Sequence, residues 1–247
     1  MRKQIKKAII VGASSGIGYE IAERLAARGI HLGLAARRLE AIEALQHRYP
    51  DSIKICKIDI TNSDSDLTLR QLIDDMGGID TYIHVAGIGY DNPSLDPKRE
   101  AEIANTNAVG FARLISSVYH YFRNNDIRGH IAAVTSIAGT KGIGTMSAYS
   151  ASKAFDTTYL TALRQLTHID RSHITITDIR PGWTRTPLLH DRENYMMEMP
   201  LDYVANRAVR AILSGRRVAI IDWRWRIVTA LWRLLPNCIW TRINPPT

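Results

Sequence analysis

Tyr149 and Lys153, in the stretch Ser147-Ala-Tyr-Ser-Ala-Ser-Lys153, stand four residues apart, so a helix would bring them onto one face. A free tyrosine loses its proton near pH ~10, and a neighbouring ammonium favours the phenolate, which brings the hydroxyl toward the working range of a general acid. Tyr-x-x-x-Lys is also an ordinary surface pair on many helices. The residues around it turn the reading toward proton chemistry. A glycine-rich loop lies near the start of the chain, and a Ser and an Asn stand where a hydride-transfer site would need them.

The loop is Val11-Gly-Ala-Ser-Ser-Gly-Ile-Gly18, set between an apolar run and the start of a helical pattern. A helix N-terminus in that context offers its N–H groups to a pyrophosphate. Gly12 permits the tight turn, Gly16 lets the main chain approach a phosphate, and Gly18 lets helix pack on strand, with Ser14, Ser15 and Ile17 completing the loop. At the end of the next apolar run, Leu34-Ala-Ala-Arg-Arg38 carries no acid. A carboxylate there would hold the ribose hydroxyls and repel a 2′-phosphate, whereas a guanidinium pairs with that phosphate. Arg37 first and Arg38 second, with Ser14 as a hydroxyl donor, therefore predict NADP(H) as cofactor. Two solvated arginines at a helix start are the plainer alternative. Asp59, beside Ile60, either accepts from an adenine amino group or caps the next helix.

Short β-rich runs at 8–11, 31–35, 53–57, 81–85, 130–135, 174–179 and 218–221 alternate with amphipathic stretches at 16–28, 39–49, 67–76, 99–124, 147–168 and 202–214. Seven strands joined by six crossovers predict an α/β, doubly wound Rossmann-like fold, with a seven-stranded parallel sheet, helices on both faces, and ligands beyond the carboxyl ends of the strands. Residues 1–247 read as one domain, because no linker or low-complexity run interrupts them. The basic start of the chain is followed by an apolar run too short for a signal peptide. Cys56 and Cys238 have no metal spacing and read as small core or interface residues of a reduced, cytoplasmic protein. The net charge is +8, and six arginines against one acid, Asp222, lie between Arg216 and the end. The rest of the chain is near balance, which argues against nucleic acid as a partner.

With the loop, the basic second-strand end and Tyr-x-x-x-Lys in this order, the chain resembles the short-chain dehydrogenase/reductase superfamily in its compact NADP-dependent branch, over roughly residues 8–218. The resemblance implies an oxidoreductase that moves hydride between nicotinamide and a carbonyl or secondary alcohol. It implies a substrate-oxygen role for Ser136, thirteen residues before Tyr149, and a water-holding role for the main chain of Asn107 in a proton relay through Lys153. Pro181 and Gly182 match the family's segment after the sixth strand, where Ile179 and Thr184 or Thr186 meet the nicotinamide end. Ala86 and Gly87 match small positions beside the cofactor, but His84-Val85 replaces the usual Asn-Asn pair. His84 reads as a structural histidine rather than a base.

A cofactor-binding regulator without turnover is the alternative, raised by the lost Asn-Asn pair. A sugar-nucleotide epimerase is expected to need more chain after Thr186. Residues 187–201, with His190, Tyr195, Met196, Met197 and Met199, are expected to form an adaptable apolar wall for a small-molecule carbonyl or alcohol. The segment 223–247 is apolar and basic, and Pro236 interrupts it before it could span a bilayer. As a helix it is expected to put Trp225, Val228, Leu231, Trp232 and Leu235 on one side, serving core packing or a homodimer or homotetramer, with peripheral membrane contact through 223–240 as the alternative.

Overall fold

In the computed structural model, residues 5–186 and 195–243 are described. Strands β1 (Lys7–Val11), β2 (His31–Ala36), β3 (Ile53–Lys57), β4 (Thr81–His84), β5 (His130–Val134), β6 (Thr175–Arg180) and β7 (Val218–Ile220) form one sheet in the order β3-β2-β1-β4-β5-β6-β7. Every pairing is parallel. Alternate residues of one strand feed opposite layers: Ala8 and Ile10 pack with helix α1 (Gly16–Ala26) and helix α7 (Leu201–Ser214), while Ile9 and Val11 pack with helices α3 (Ser65–Asp75) and α5 (Phe111–Asn124). Helix α2 (Glu40–Arg48) joins β2 to β3. The chain order reverses at β1, which lies between β2 and β4. A crevice opens there beyond the strand ends.

The predicted helix over 99–124 is three pieces: α4 (Pro97–Ala104), a π turn at Asn105–Gly110, and α5. Its start lies earlier because the Asp96 carboxylate accepts from Lys98 N at 2.9 Å, and Pro97 sits where a missing N–H costs nothing. The strand expected over 81–85 stops at His84, since the N–H groups of Val85 and Ala86 both turn onto Val11 O, at 2.8 and 3.0 Å. Helix α6 (Ser147–Ile169) carries Tyr149 and Lys153 in its first two turns.

The tail forms α8 (Trp223–Leu234) and α9 (Asn237–Trp240). The expected stripe is only half right. Trp225 is fully buried and Val228 and Trp232 pack on the core, but Leu231 is 57% exposed and Thr229 takes its inward place. Cys238 is exposed rather than interior, and Cys56 is partly buried. Among the described residues, no helix is long and apolar enough to cross a membrane.

Candidate active site

A cleft of about 420 Å³ opens at the reversal point, walled by the glycine loop, the end of β2 and the loops after β4, β5 and β6. Of the residues predicted for catalysis and cofactor binding, all but Gly18, Asn107 and Ile179 line this cleft: the loop residues Gly12, Ser14, Ser15, Gly16 and Ile17, then Arg37 and Arg38, Asp59 and Ile60, Ala86 and Gly87, Ser136, Tyr149, Lys153, Pro181, Gly182, Thr184 and Thr186. Ile179, expected at the same end, is instead a fully buried core residue of β6.

The loop has no room for side chains. Gly12 has φ +90°, and a Cβ there would lie 2.4 Å from Ala86 N. A Cβ on Gly18 would lie 2.1 Å from Gly12 O, so Gly18 brings α1 against the loop from behind the cleft wall. Such close main-chain packing at the mouth of a helix suits a pyrophosphate. Arg37 and Arg38 project, exposed, from the end of β2. Burial acts to raise the Asp59 pKa, but hydrogen bonds from Thr61 N and Oγ1 to Asp59 Oδ1 (3.0 and 2.7 Å), together with the Arg37 charge, hold it below the usual carboxylate value. Asp59 thus caps its own turn, and the N-cap of α3 is Asp64.

At the other end the polar groups are buried. Ser136 Oγ accepts from Ala138 N at 3.1 Å, which fixes the oxygen and leaves its proton free to donate into the cleft. The Tyr149 ring lies on Gly89, where a Cβ would come within 2.5 Å of ring carbon Cδ2. Lys153 Nζ is 5.9 Å from the centre of that ring and donates to Asp156 Oδ2 at 3.1 Å. Burial works against the Lys153 charge, but Asp156 foremost, then Tyr149, hold it, so its pKa lies above the ordinary lysine value. Burial also dominates Asp156 and pushes its carboxyl up to about 6 against the pull of Lys153. Nearby, Asp178 is buried and accepts from Thr135 Oγ1 at 2.7 Å and from Arg180 Nε and Nη2 at 2.8 and 2.6 Å.

Asn107 stands one layer behind the wall, in the π turn. Its Oδ1 accepts from Ile88 N at 2.8 Å, and its Nδ2 donates to Ile88 O at 2.7 Å and Ser152 Oγ at 3.1 Å. A Cβ placed on Gly87 would meet Asn107 Oδ1 at 3.3 Å and Lys153 Nζ at 3.5 Å, so both residues close on one spot. His84 is buried off the cleft wall, with Nδ1 2.9 Å from the Tyr82 hydroxyl. Burial, then the Lys153 charge, lowers its pKa to about 3, so it is neutral at physiological pH, as a structural histidine should be.

A match to the family model for short chain dehydrogenase runs over residues 6–196. The chain belongs to that family. Among its relatives, an uncharacterized oxidoreductase of Myxococcus xanthus is 31% identical over 94% of this chain and 93% of its own. The farnesol dehydrogenase of Aedes aegypti is 30% identical over 74% of this chain and 79% of its own. In structure, a short chain dehydrogenase from Burkholderia cenocepacia, solved in complex with NADP, superposes with a TM-score of 0.83 over the whole of both chains at 19% identity, a likeness of fold. Family membership makes the chain an oxidoreductase that transfers hydride between a nicotinamide cofactor and CH–OH or C=O groups.

Several neighbours of the site escaped the sequence reading. Asp156 lies three residues after Lys153 on α6, an i,i+3 spacing that could have signalled it. Asp178 and Arg180 share one face of β6 by strand alternation, and an acid in a core strand was the available clue. The apolar wall comes from Ile88, Ile143, Met146, Trp183 and Trp232 rather than from 195–201. Met199 is 1% exposed in the core, its N–H bonded to Trp183 O at 2.9 Å, and Tyr195 stacks on Trp183 with centroids 4.7 Å apart. His190 and the rest of 187–194 lie outside the described residues.

Proposed function

We propose that residues 1–247 act as one NADP(H)-dependent oxidoreductase domain that interconverts an apolar carbonyl compound and its secondary alcohol, with Tyr149 as general acid and base. The observation that carries this reading is the convergence of Ser136, Tyr149 and Lys153 on the cleft that also holds the glycine loop and Arg37. When bound, the nicotinamide supplies or takes the hydride. The loop N–H groups and Gly12's close turn hold the pyrophosphate. Arg37, with Arg38 and Ser14, pairs with a 2′-phosphate through charge-assisted hydrogen bonds that a carboxylate would turn into repulsion. Ser136 Oγ donates to the substrate oxygen, and Tyr149 Oη gives that oxygen its proton, or removes it in the reverse direction. Lys153 Nζ keeps a positive charge beside the tyrosine and hydrogen-bonds ribose hydroxyls. Asn107 holds the Ile88 main chain and the start of a proton path toward Lys153.

The wall of Ile88, Ile143, Met146, Trp183 and Trp232 favours an apolar substrate, in keeping with the farnesol dehydrogenase among the relatives. The exposed apolar side chains Val109, Phe155, Leu166 and Ile169, on the π turn and α6, support a homodimer or homotetramer built through that face. The unpaired thiols of Cys56 and Cys238 favour a cytoplasmic location. A reductase screen over ketones, steroid-like ketones and acyl thioesters, run with each cofactor, tests the proposal. The expected result is NADPH-dependent reduction of an apolar carbonyl. Turnover only with NADH would overturn the cofactor assignment, and no turnover of any class would favour a regulator.

A further inference from the structure

Helix α8 has two apolar faces, and the molecule uses one of them. Trp225 and Thr229 are buried, Val228 and Trp232 pack against the core, and Trp225 lies so close to Gly182 that a Cβ there would come within 2.2 Å of the indole nitrogen. Around the helix, Trp223, Ile227, Leu231 and Leu234 recur on the opposite side and are between 52% and 79% exposed. With Ala230 and Arg226 they line a shallow groove open to solvent. An apolar stripe of this length does not stay bare in water without a purpose.

Charge decides what covers it. Arg226 stands on the groove itself, with Arg233 and Arg242 farther along the tail, and among the described residues none of the three forms an ion pair. Asp222 is the only acid from residue 216 onward, and Arg224 already holds it at 3.1 and 2.8 Å. A second copy docking on this segment about a two-fold axis would set a stretch that from residue 216 onward holds six arginines and one acid against an identical stretch, a like-charge encounter. Anionic lipid satisfies both halves of the surface. Its phosphates accept from the guanidinium groups, while tryptophan and leucine side chains enter the boundary with the acyl chains.

We propose that α8 is a membrane-surface helix, lying in the plane of an anionic lipid layer and seating the protein on it. Trp232, on the same helix, lines the cleft, so seating brings the substrate end within about one helix diameter, ~10 Å, of the lipid. The proposal depends neither on the role of Tyr149 nor on the choice of cofactor.

Sedimentation of the full chain with phosphatidylcholine vesicles, with and without phosphatidylglycerol, tests it. The protein should pellet with the phosphatidylglycerol vesicles and be released by salt. Arg226→Gln with Arg233→Gln should weaken binding roughly tenfold or more, and Ile227→Asp with Leu231→Asp should abolish it. All four positions are exposed, so thermal melts of both variants should match the parent. Three results would overturn the proposal: no pelleting with the anionic vesicles, equal binding to phosphatidylcholine alone, or a drop in light-scattering mass for the Ile227/Leu231 variant, which would give the face to a second copy.

Discussion

At the inner end of the cleft, Ser136, Lys153 and Asp156 are buried, and each is held by another buried group. At the outer end, Arg37 and Arg38 stand in solvent, and Asp59 makes its hydrogen bonds within its own turn. The difference matches the tasks proposed for the two ends. Moving a proton at a defined oxygen needs fixed dipoles in a dry, low-dielectric site, where each charge is worth most and misplacement costs most. Choosing between two cofactors that differ by one phosphate needs only a cation within reach, and solvent screening there limits its strength. Substitutions at the inner end should therefore change rate and pH dependence, whereas those at the outer end should change which cofactor binds.

The largest expected effect is that of Lys153→Ala, which removes the buried cation beside Tyr149 together with the proposed ribose contact. Turnover should fall by about a thousandfold or more and cofactor affinity should fall with it. Steady-state kinetics and fluorescence titration would show both losses; a loss of rate alone would confine the lysine to the chemistry.

Arg37→Asp should reverse cofactor choice, weakening NADPH relative to NADH by about a hundredfold, since one change removes the proposed attractive pair and adds a repulsive one. Turnover with saturating NADH should stay close to that of the parent. If the two affinities moved together, Arg37 would be a solvated residue and the outer end would not discriminate.

The smallest effect, about tenfold in rate, is expected at Asp156. Its folded-state pKa, raised to about 6, lies above that of the unfolded chain, near ~4. The folded state therefore binds the proton more tightly, and this group's contribution to stability is present below pH ~4 and is lost as the pH rises to about 6. Activity runs the opposite way, because only the ionised carboxylate pairs with Lys153. Asp156→Asn should remove the acid limb near pH 6 and make the variant behave at every pH as the parent does below it. A profile of kcat/KM and of melting temperature against pH checks both signs. An unchanged acid limb in the variant would remove Asp156 from the positioning of Lys153.

Much of the fold and of the cleft's geometry is legible in the sequence, for physical reasons that differ by residue. Gly12 and Gly18 were legible because only glycine fits where main chain touches main chain, and Tyr149 and Lys153 because helical spacing fixes their relation. The alternation of strands and helices gave the sheet its seven members. Asp156 and Asp178 were missed because their effect depends on burial, which the local pattern does not report. The two faces of α8 were confused because apolar residues lie nearly all round it, so helical period alone could not say which side the core takes, and Thr229 rather than Leu231 faces inward. Met199 was placed in the substrate wall by composition, but a main-chain bond to Trp183 draws it into the core.

The most direct test of the account is Tyr149→Phe, which keeps the ring on Gly89 and removes only the hydroxyl. Turnover of the best substrate and NADPH affinity should be measured on the same preparation. The account predicts a loss of about a thousandfold in turnover, with the cofactor dissociation constant within about threefold of the parent's. Retention of a tenth or more of the parent's turnover would contradict it, because the proton would then come from a group other than Tyr149.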